Sequence, residues 1–157
     1  MGKSTVGVVL AKKLGYSFTD SDLIIQQKTG KLLHQLIAEK GEAGFLMLEN
    51  EINASLSLKR HVIATGGSAV YGKEAMEHLK EIGTIVYLRV DYDTLSTRLA
   101  DIKGRGVVLR EGQTLYDLYQ ERTPLYEKYA DITISEENLS VEETVESLLQ
   151  SLNIENS

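Results

Sequence analysis

Hydrophobic and polar positions along the chain follow two alternating patterns. Compact runs of apolar and β-branched residues predict four buried strands, at 16–19, 61–65, 84–89 and 131–134. Longer stretches, with apolar residues three and four positions apart, predict helices at 4–14, 23–28, 32–39, 42–58, 73–82, 91–100, 114–130 and 141–152. Strands that alternate with helices predict an α/β fold, in which helices cover both faces of a parallel sheet.

Local signals mark several helix ends. Gly15 is suited to end the first helix, and Gly41 breaks the chain between the helices on either side of it. Ser140 caps the last helix, and Glu143 completes a capping box. Pro124 is expected to bend or interrupt the long helix around it, or to start a new one.

Length, charge and cysteine content narrow the class of protein. The chain of 157 residues predicts one domain over 1–157. Its net charge of −6 gives no basic footprint for nucleic acid or an anionic membrane. It has no cysteine for disulfides or metal binding, and no apolar run approaches the roughly 18 residues of a membrane helix. We therefore expect a cytoplasmic protein without nucleic-acid or membrane partners.

The first residues match the second half of the phosphate-binding P-loop, GxxxxGK[ST]. Gly2 allows backbone N–H groups to close around phosphate oxygens, and Lys3 brings a positive charge to them. The hydroxyls of Ser4 and Thr5 suit magnesium and phosphate at a helix start. The alternative is an ordinary helix start capped by Ser4 or Thr5.

Two predicted strands end in residues suited to a ligand. Asp20 and Asp22 follow the first strand, and Gly66 and Gly67 follow the second. In parallel α/β sheets, ligands bind at the carboxyl ends of the strands. The alternatives are that an aspartate only caps the next helix and that the glycines only form a turn.

Other polar segments are less specific. Residues 101–113 contain three glycines and lack helical periodicity, which suits either a lid over phosphates or a solvated loop. Glu42, Glu49 and Glu51 are most simply the solvated face of a helix. His34 is interpreted as a surface or interfacial residue, since it has no partner at metal-ligand spacing.

Taken in order, these segments resemble the shikimate kinase family of P-loop small-molecule kinases. The resemblance covers almost the whole chain and rests on GKSTVG at 2–7, FTDSD at 18–22, GEAGFLMLE at 41–49, ATGGS at 64–68, KGRGVVL at 103–109, and ERTPLY at 121–126 followed by ADITI. It implies the three-layer fold of nucleoside monophosphate kinases, with five parallel strands in the order 2-3-1-4-5. The first and central strand of that order is expected to be absent from this chain. The implied enzyme is a kinase that transfers the γ-phosphoryl group of ATP to the 3-hydroxyl of shikimate, in aromatic amino-acid biosynthesis.

The resemblance also implies a role for each matching residue. The ATP side comprises Gly2, Lys3, Ser4, Thr5, the lid residue Arg105 and Arg98 beside the adenine, with Mg²⁺ near Ser4 and Asp20. The shikimate side comprises Asp22, Gly66, Gly67 and Arg122. The implied catalytic residues are Lys3, Asp22 and Arg105, in a lid at about 101–113. A monomer is expected.

Four positions depart from the family pattern. The P-loop lacks its first half, Leu46 stands where the family has an arginine, Ser68 replaces the third glycine of GGG, and Gly106 replaces a lid proline. Because two of these departures lie on the substrate side, a related kinase with another small hydroxy acid or polyol as acceptor is the alternative. The shortened P-loop leaves open a non-catalytic nucleotide-binding remnant.

Overall fold

In a computed structural model, the described residues are 3–94, 96, 112–135 and 139–152, with Lys3 and Ser4 described by their backbone. The helices are α1 (Lys3–Leu14), α2 (Ser21–Thr29), α3 (Leu33–Ala54), α4 (Lys73–Ile82), α5 (Leu115–Tyr129) and α6 (Val141–Leu152). The strands are β1 (Ser17–Asp20), β2 (His61–Ala64), β3 (Val86–Arg89) and β4 (Ile132–Ser135), and a 3-10 turn spans Gly67–Tyr71. Residues 92–94 and 96 are also helical, and the rest of that predicted helix lies outside the described residues.

The four predicted strands form within two residues of their expected bounds and pair in parallel. β1 pairs with β2, with Ser17 opposite His61 at one end and Asp20 opposite Ala64 at the other. β3 pairs with β4 in the same way, from Val86 opposite Ile132 to Arg89 opposite Ser135. Among the described residues these pairs are two separate two-stranded sheets. The α/β class with parallel strands is therefore confirmed.

One apolar cluster joins the two strand pairs. Its fully buried members come from α1 and α6, and they are Val6, Leu10, Val145 and Leu148. Partly buried residues from three strands pack against them, namely Val62 of β2, Val86 and Leu88 of β3, and Ile132 and Ile134 of β4. Since both pairs share this cluster, α1 and α6 cover them together. The predicted inward face of the first helix, including Val9 and Leu14, lies in this contact.

A second apolar cluster forms between α2 and α3. Ile25 of α2 is fully buried against Leu36, Phe45 and Ile52 of α3. The predicted break in α3 is present, since Gly41 has φ 75° and ψ 173° in the middle of the helix. A positive φ of this size is accessible to glycine at little cost. The break lets the two halves of α3 follow different directions around the cluster.

Three predictions about helix ends are confirmed and two are corrected. Helix α1 ends before Gly15, α4 ends at Ile82, and the Ser140–Glu143 capping box starts α6. Helix α2 begins at Ser21 rather than residue 23, because the Asp20 side chain caps it.

The second correction concerns the end of α3, which lies at Ala54 rather than residue 58. There the Ser55 hydroxyl donates to the Ile52 carbonyl at 2.7 Å. Such a side-chain bond competes with continued helix.

Pro124 neither interrupts α5 nor starts a new helix, because α5 continues through it; the bend stays a prediction. Proline removes the hydrogen bond to the carbonyl four residues earlier, here that of Gln120. Pro124 and Gln120 are both exposed residues, so the missing bond lies on the solvent side of α5. No helix among the described residues is long and apolar enough to cross a membrane.

Candidate active site

A cleft opens beyond the carboxyl ends of β1 and β2. Its apolar wall comes from α3 and α5 and consists of Leu33, Ile37, Phe45, Leu46 and Leu118. Its polar lining comes from the segments that follow the two strands, from α3 and from α5, and includes Asp22, Glu42, Gly66, Gly67, Ser68, Tyr71, Glu121 and Arg122. The cleft therefore combines an apolar surface with a few convergent polar groups, as small-molecule sites do.

Asp22 and Gly66 meet because β1 and β2 are paired neighbours. Asp22 lies in the first turn of α2, and its carboxylate packs directly on Gly66. A Cβ atom at residue 66 would lie 2.9 Å from Asp22 Oδ1 and 3.2 Å from Oδ2. Only glycine allows this approach. The Asp22 carboxylate is thereby held at the strand end, where it lines the cleft.

Gly67 is packed against α5 in the same way. A Cβ atom there would lie 2.9 Å from Arg122 Nη1 and 3.2 Å from Tyr126 Oη. The Tyr126 hydroxyl also donates to the Gly67 carbonyl at 2.8 Å. Four residues predicted for the substrate side, Asp22, Gly66, Gly67 and Arg122, are thus brought together at one end of the cleft.

Asp20 occupies the capping position that the sequence left as an alternative. Its Oδ1 accepts a hydrogen bond from the Asp22 backbone N–H at 2.9 Å. The cap uses one of the two carboxylate oxygens, so it is compatible with a ligand role for the other. The described residues contain no group of three or more His, Asp or Glu side chains placed to hold a metal.

The predicted ATP side is only partly covered by the structure. Thr5 is exposed in the first turn of α1, and the backbone of Lys3 and Ser4 begins that helix. Gly2, Arg98 and Arg105 lie outside the described residues, as do the side chains of Lys3 and Ser4. Of the predicted lid, Gly112 and Gln113 are described, and Gln113 lines the cleft.

Comparison with known proteins places the chain in a family. The family profile described as Shikimate kinase matches residues 1–153. The chain belongs to the shikimate kinase family. A curated shikimate kinase of Thermodesulfovibrio yellowstonii is 38% identical over 152 residues, which cover 95% of this chain and 87% of the relative.

Solved shikimate kinases have the same fold as this chain. The crystal structure of the Aquifex aeolicus enzyme is 37% identical, with a TM-score of 0.82 over 97% of this chain and 90% of that one. The Acinetobacter baumannii enzyme in complex with shikimate is 36% identical, with a TM-score of 0.87 over 99% of this chain and 88% of that one.

Glu49 corrects the expectation of a solvated acidic face in this shikimate kinase homologue. Glu51 is exposed and Glu42 is partly buried at the cleft, but Glu49 is only 1% exposed. The signal for its burial was its spacing of four from Phe45 and three from Ile52, which puts all three on one helix face. Its acidic character masked that pattern.

The buried Glu49 carboxyl is bonded to one of the family departures. The Ser68 hydroxyl donates to Glu49 Oε1 at 2.8 Å, and Glu49 Oε2 has no hydrogen-bond partner among the described residues. Burial raises the pKa of Glu49 to about 7; the Ser68 hydrogen bond and the Arg122 charge oppose this rise, and the Asp22 charge adds to it. The hydroxyl that Ser68 brings to the cleft is thus engaged by Glu49.

Tyr71 is a cleft residue that sequence reasoning missed. It ends the 3-10 turn that starts at Gly67, and its side chain contacts both Glu121 and Arg122 of α5. Its position four residues after Gly67 was the only signal. Arg122 is the one arginine or lysine that lines the cleft within the described part of the chain. Among the described residues, an anionic substrate group therefore meets a single arginine in the cleft.

Proposed function

We propose that this protein transfers the γ-phosphoryl group of ATP to the 3-hydroxyl of shikimate. The observation that carries the proposal is the convergence of Asp22, the Gly66–Gly67 pair and Arg122 at one end of the cleft. Family membership and the likeness to the relative described in complex with shikimate support it. Shikimate has a hydroxyl group, whose proton the Asp22 carboxylate can accept. It also has a carboxylate, with which Arg122 can pair in the same pocket.

On the substrate side, Asp22 orients the reacting hydroxyl and accepts its proton. Arg122 pairs with the substrate carboxylate, for which a planar guanidinium is geometrically suited. Backbone N–H groups of Gly66 and Gly67 approach the substrate between these two side chains. The Asp22 carboxylate lies next to Gly66, and the Arg122 guanidinium lies next to Gly67. The two side chains would therefore contact different ends of the phosphoryl acceptor.

On the ATP side, the start of α1 holds the phosphates. Gly2, Lys3, Ser4 and Thr5 supply backbone donors, a positive charge and hydroxyls, while the helix start favours the anion. Asp20 and Ser4 would hold Mg²⁺, since a carboxylate and a hydroxyl are oxygen ligands of the kind that this ion prefers. The ion would neutralise charge on the phosphates during transfer. Arg105 closes from a lid at 101–113, and Arg98 flanks the adenine.

The two strand pairs are the outer parts of one sheet in the order 2-3-1-4-5. The strands β1 to β4 take places 2 to 5 of that order, so β2 and β3 flank the place of the central first strand, which no described strand occupies. Support comes from the apolar cluster of α1 and α6, against which Val62 of β2 and Val86 of β3 both pack. The whole of 1–157 forms one domain and acts as a monomer.

An assay of shikimate-dependent ADP release tests the proposal. The wild-type protein should show saturable ADP release with shikimate and MgATP. Asp22→Asn keeps the shape of the side chain and removes the proton acceptor, so it should lower kcat by about a hundredfold or more. Glu51→Gln, an exposed change on α3, is the matched control and should leave kcat unchanged.

The same assay separates the alternatives. The second candidate is a related acceptor, favoured by Leu46 in the cleft wall. ADP release with another small hydroxy acid but none with shikimate would establish that candidate. No ADP release with any acceptor, together with no MgATP binding by calorimetry, would indicate a non-catalytic remnant.

A further inference from the structure

The arginine that meets the substrate carboxylate is held by side chains outside the residues assigned so far. Arg122 Nε donates to the Tyr71 hydroxyl oxygen at 3.4 Å. The guanidinium carbon also lies 5.4 Å from the centre of the Tyr71 ring, within the range of a cation–π contact. Both the ring face of Tyr71 and its hydroxyl therefore contact the same guanidinium.

Glu121 fixes the direction of the Tyr71 hydroxyl. The hydroxyl donates its hydrogen to Glu121 Oε2, which leaves its lone pairs for the Arg122 Nε–H group. Burial and the hydrogen bond to Glu121 raise the pKa of Tyr71, with Arg122 opposing, so the hydroxyl keeps its hydrogen near neutral pH. The chain of contacts runs from Glu121 through Tyr71 to Arg122.

These contacts leave a defined part of the guanidinium for a ligand. Nε is engaged by Tyr71, and Nη1 lies beside Gly67 together with Tyr126, whose hydroxyl also hydrogen-bonds to Arg122. The remaining Nη–H groups, at the end of the fork, are open to a carboxylate. The orientation of this fork matters more here than with two arginines, because Leu46 stands where the family has the second one. A misplaced fork would lose a bidentate contact that no other arginine or lysine lining the described cleft replaces.

We propose that Tyr71, anchored by Glu121, is a positioning residue that orients Arg122 for end-on pairing with the carboxylate of the acceptor. Tyr71 thereby sets the affinity for a carboxylate-bearing acceptor without taking part in phosphoryl transfer. The claim that Tyr71 sets the affinity for a carboxylate rests on the proposed function. The claim that Tyr71 orients Arg122 does not.

Tyr71→Phe tests the carboxylate part, since it keeps the ring and removes only the hydroxyl. The KM for shikimate should rise about three- to tenfold, because a hydrogen bond to a charged group is lost. The kcat and the KM for ATP should stay within about twofold of wild type. Tyr116→Phe is the matched control, because Tyr116 is an exposed tyrosine of α5 that contacts Gln120 and does not line the cleft. A fall in kcat without a change in the shikimate KM would overturn the proposal.

The mobility of the Arg122 side chain gives a readout that needs no catalysis. In protein labelled with ¹⁵N-arginine, the Nε–H signal of Arg122 is assigned by its loss in Arg122→Lys. Its heteronuclear NOE should report a rigid group in wild type and in Tyr116→Phe, and a mobile group in Tyr71→Phe and in Glu121→Gln. An Arg122 Nε–H group that stays rigid in both Tyr71→Phe and Glu121→Gln would overturn the proposal.

The two readouts separate the failure of this inference from that of the proposed function. If the wild-type protein does not phosphorylate shikimate, the proposed function fails, and the NOE still decides whether Tyr71 holds Arg122. If Arg122 becomes mobile while the shikimate KM is unchanged, Tyr71 does not act on the carboxylate and the inference is wrong.

Discussion

Replacement of Glu49 by glutamine should remove a loss of stability that the wild-type protein shows as pH rises. Glu49 is buried in α3, accepts a hydrogen bond from Ser68 and has a pKa raised from 4.5 to about 7. In the folded protein it therefore keeps a proton that the unfolded chain releases above about pH 4.5. The stability that this proton contributes is complete below that pH and is lost as pH rises towards about 7.

The size of the effect follows from the two pKa values. Each pH unit between them corresponds to about 1.4 kcal/mol of unfolding free energy. Between about pH 5 and pH 8, the wild-type protein should lose about 2 to 3 kcal/mol through Glu49 alone. Glu49→Gln cannot ionise, so its unfolding free energy relative to wild type should rise by that amount over the same range.

Urea unfolding at a series of pH values measures this difference directly. Glu51→Gln is the control, since Glu51 lies two residues away on the same helix and is exposed. Its unfolding free energy should follow that of wild type at every pH. A difference between Glu49→Gln and wild type that does not change with pH would refute the argument, because it would mean that the Glu49 carboxyl titrates at its ordinary pKa.

Two further substitutions test the substrate side of the cleft. Leu46→Arg restores the arginine of the family pattern and should lower the KM for shikimate about tenfold or more through a charge-assisted hydrogen bond. Leu46→Met is the control, and an unchanged KM in steady-state kinetics would contradict the prediction. Gly66→Ala places a Cβ atom 2.9 Å from Asp22 Oδ1 and should lower kcat by displacing that carboxylate, with the melting temperature as the check on folding. Gly83→Ala, whose added Cβ meets only the Leu79 carbonyl at 3.8 Å, should retain kcat; equal losses in both variants would argue against a specific role for Gly66.

Elements that depend on neighbouring residues were predictable from the chain itself. The Ser140–Glu143 capping box, the helix end at Gly15 and the break at Gly41 formed as expected. Each of these features depends on backbone and side-chain groups within a few positions of one another. The placement of Asp22 and Arg122 in one cleft was also anticipated, although by resemblance to a family rather than by local physics.

Contacts between distant segments were not predictable in this way. Glu49 was expected in solvent, and its hydrogen-bond partner Ser68 lies 19 residues away, in the turn after β2. Tyr71 was not singled out at all, because its partner Glu121 lies 50 residues further along the chain. No periodicity in either segment encodes the partner that it meets.

The sequence by itself therefore determined the alternation of strands and helices, most of their ends, and the residue types at the ends of β1 and β2. These properties follow from hydrophobic period and capping, which act over a few residues. Only the tertiary structure decided that Ser68 donates to the buried Glu49 carboxyl and that Tyr71 contacts Arg122. Both arrangements depend on how α3, α5 and the turn after β2 pack against one another.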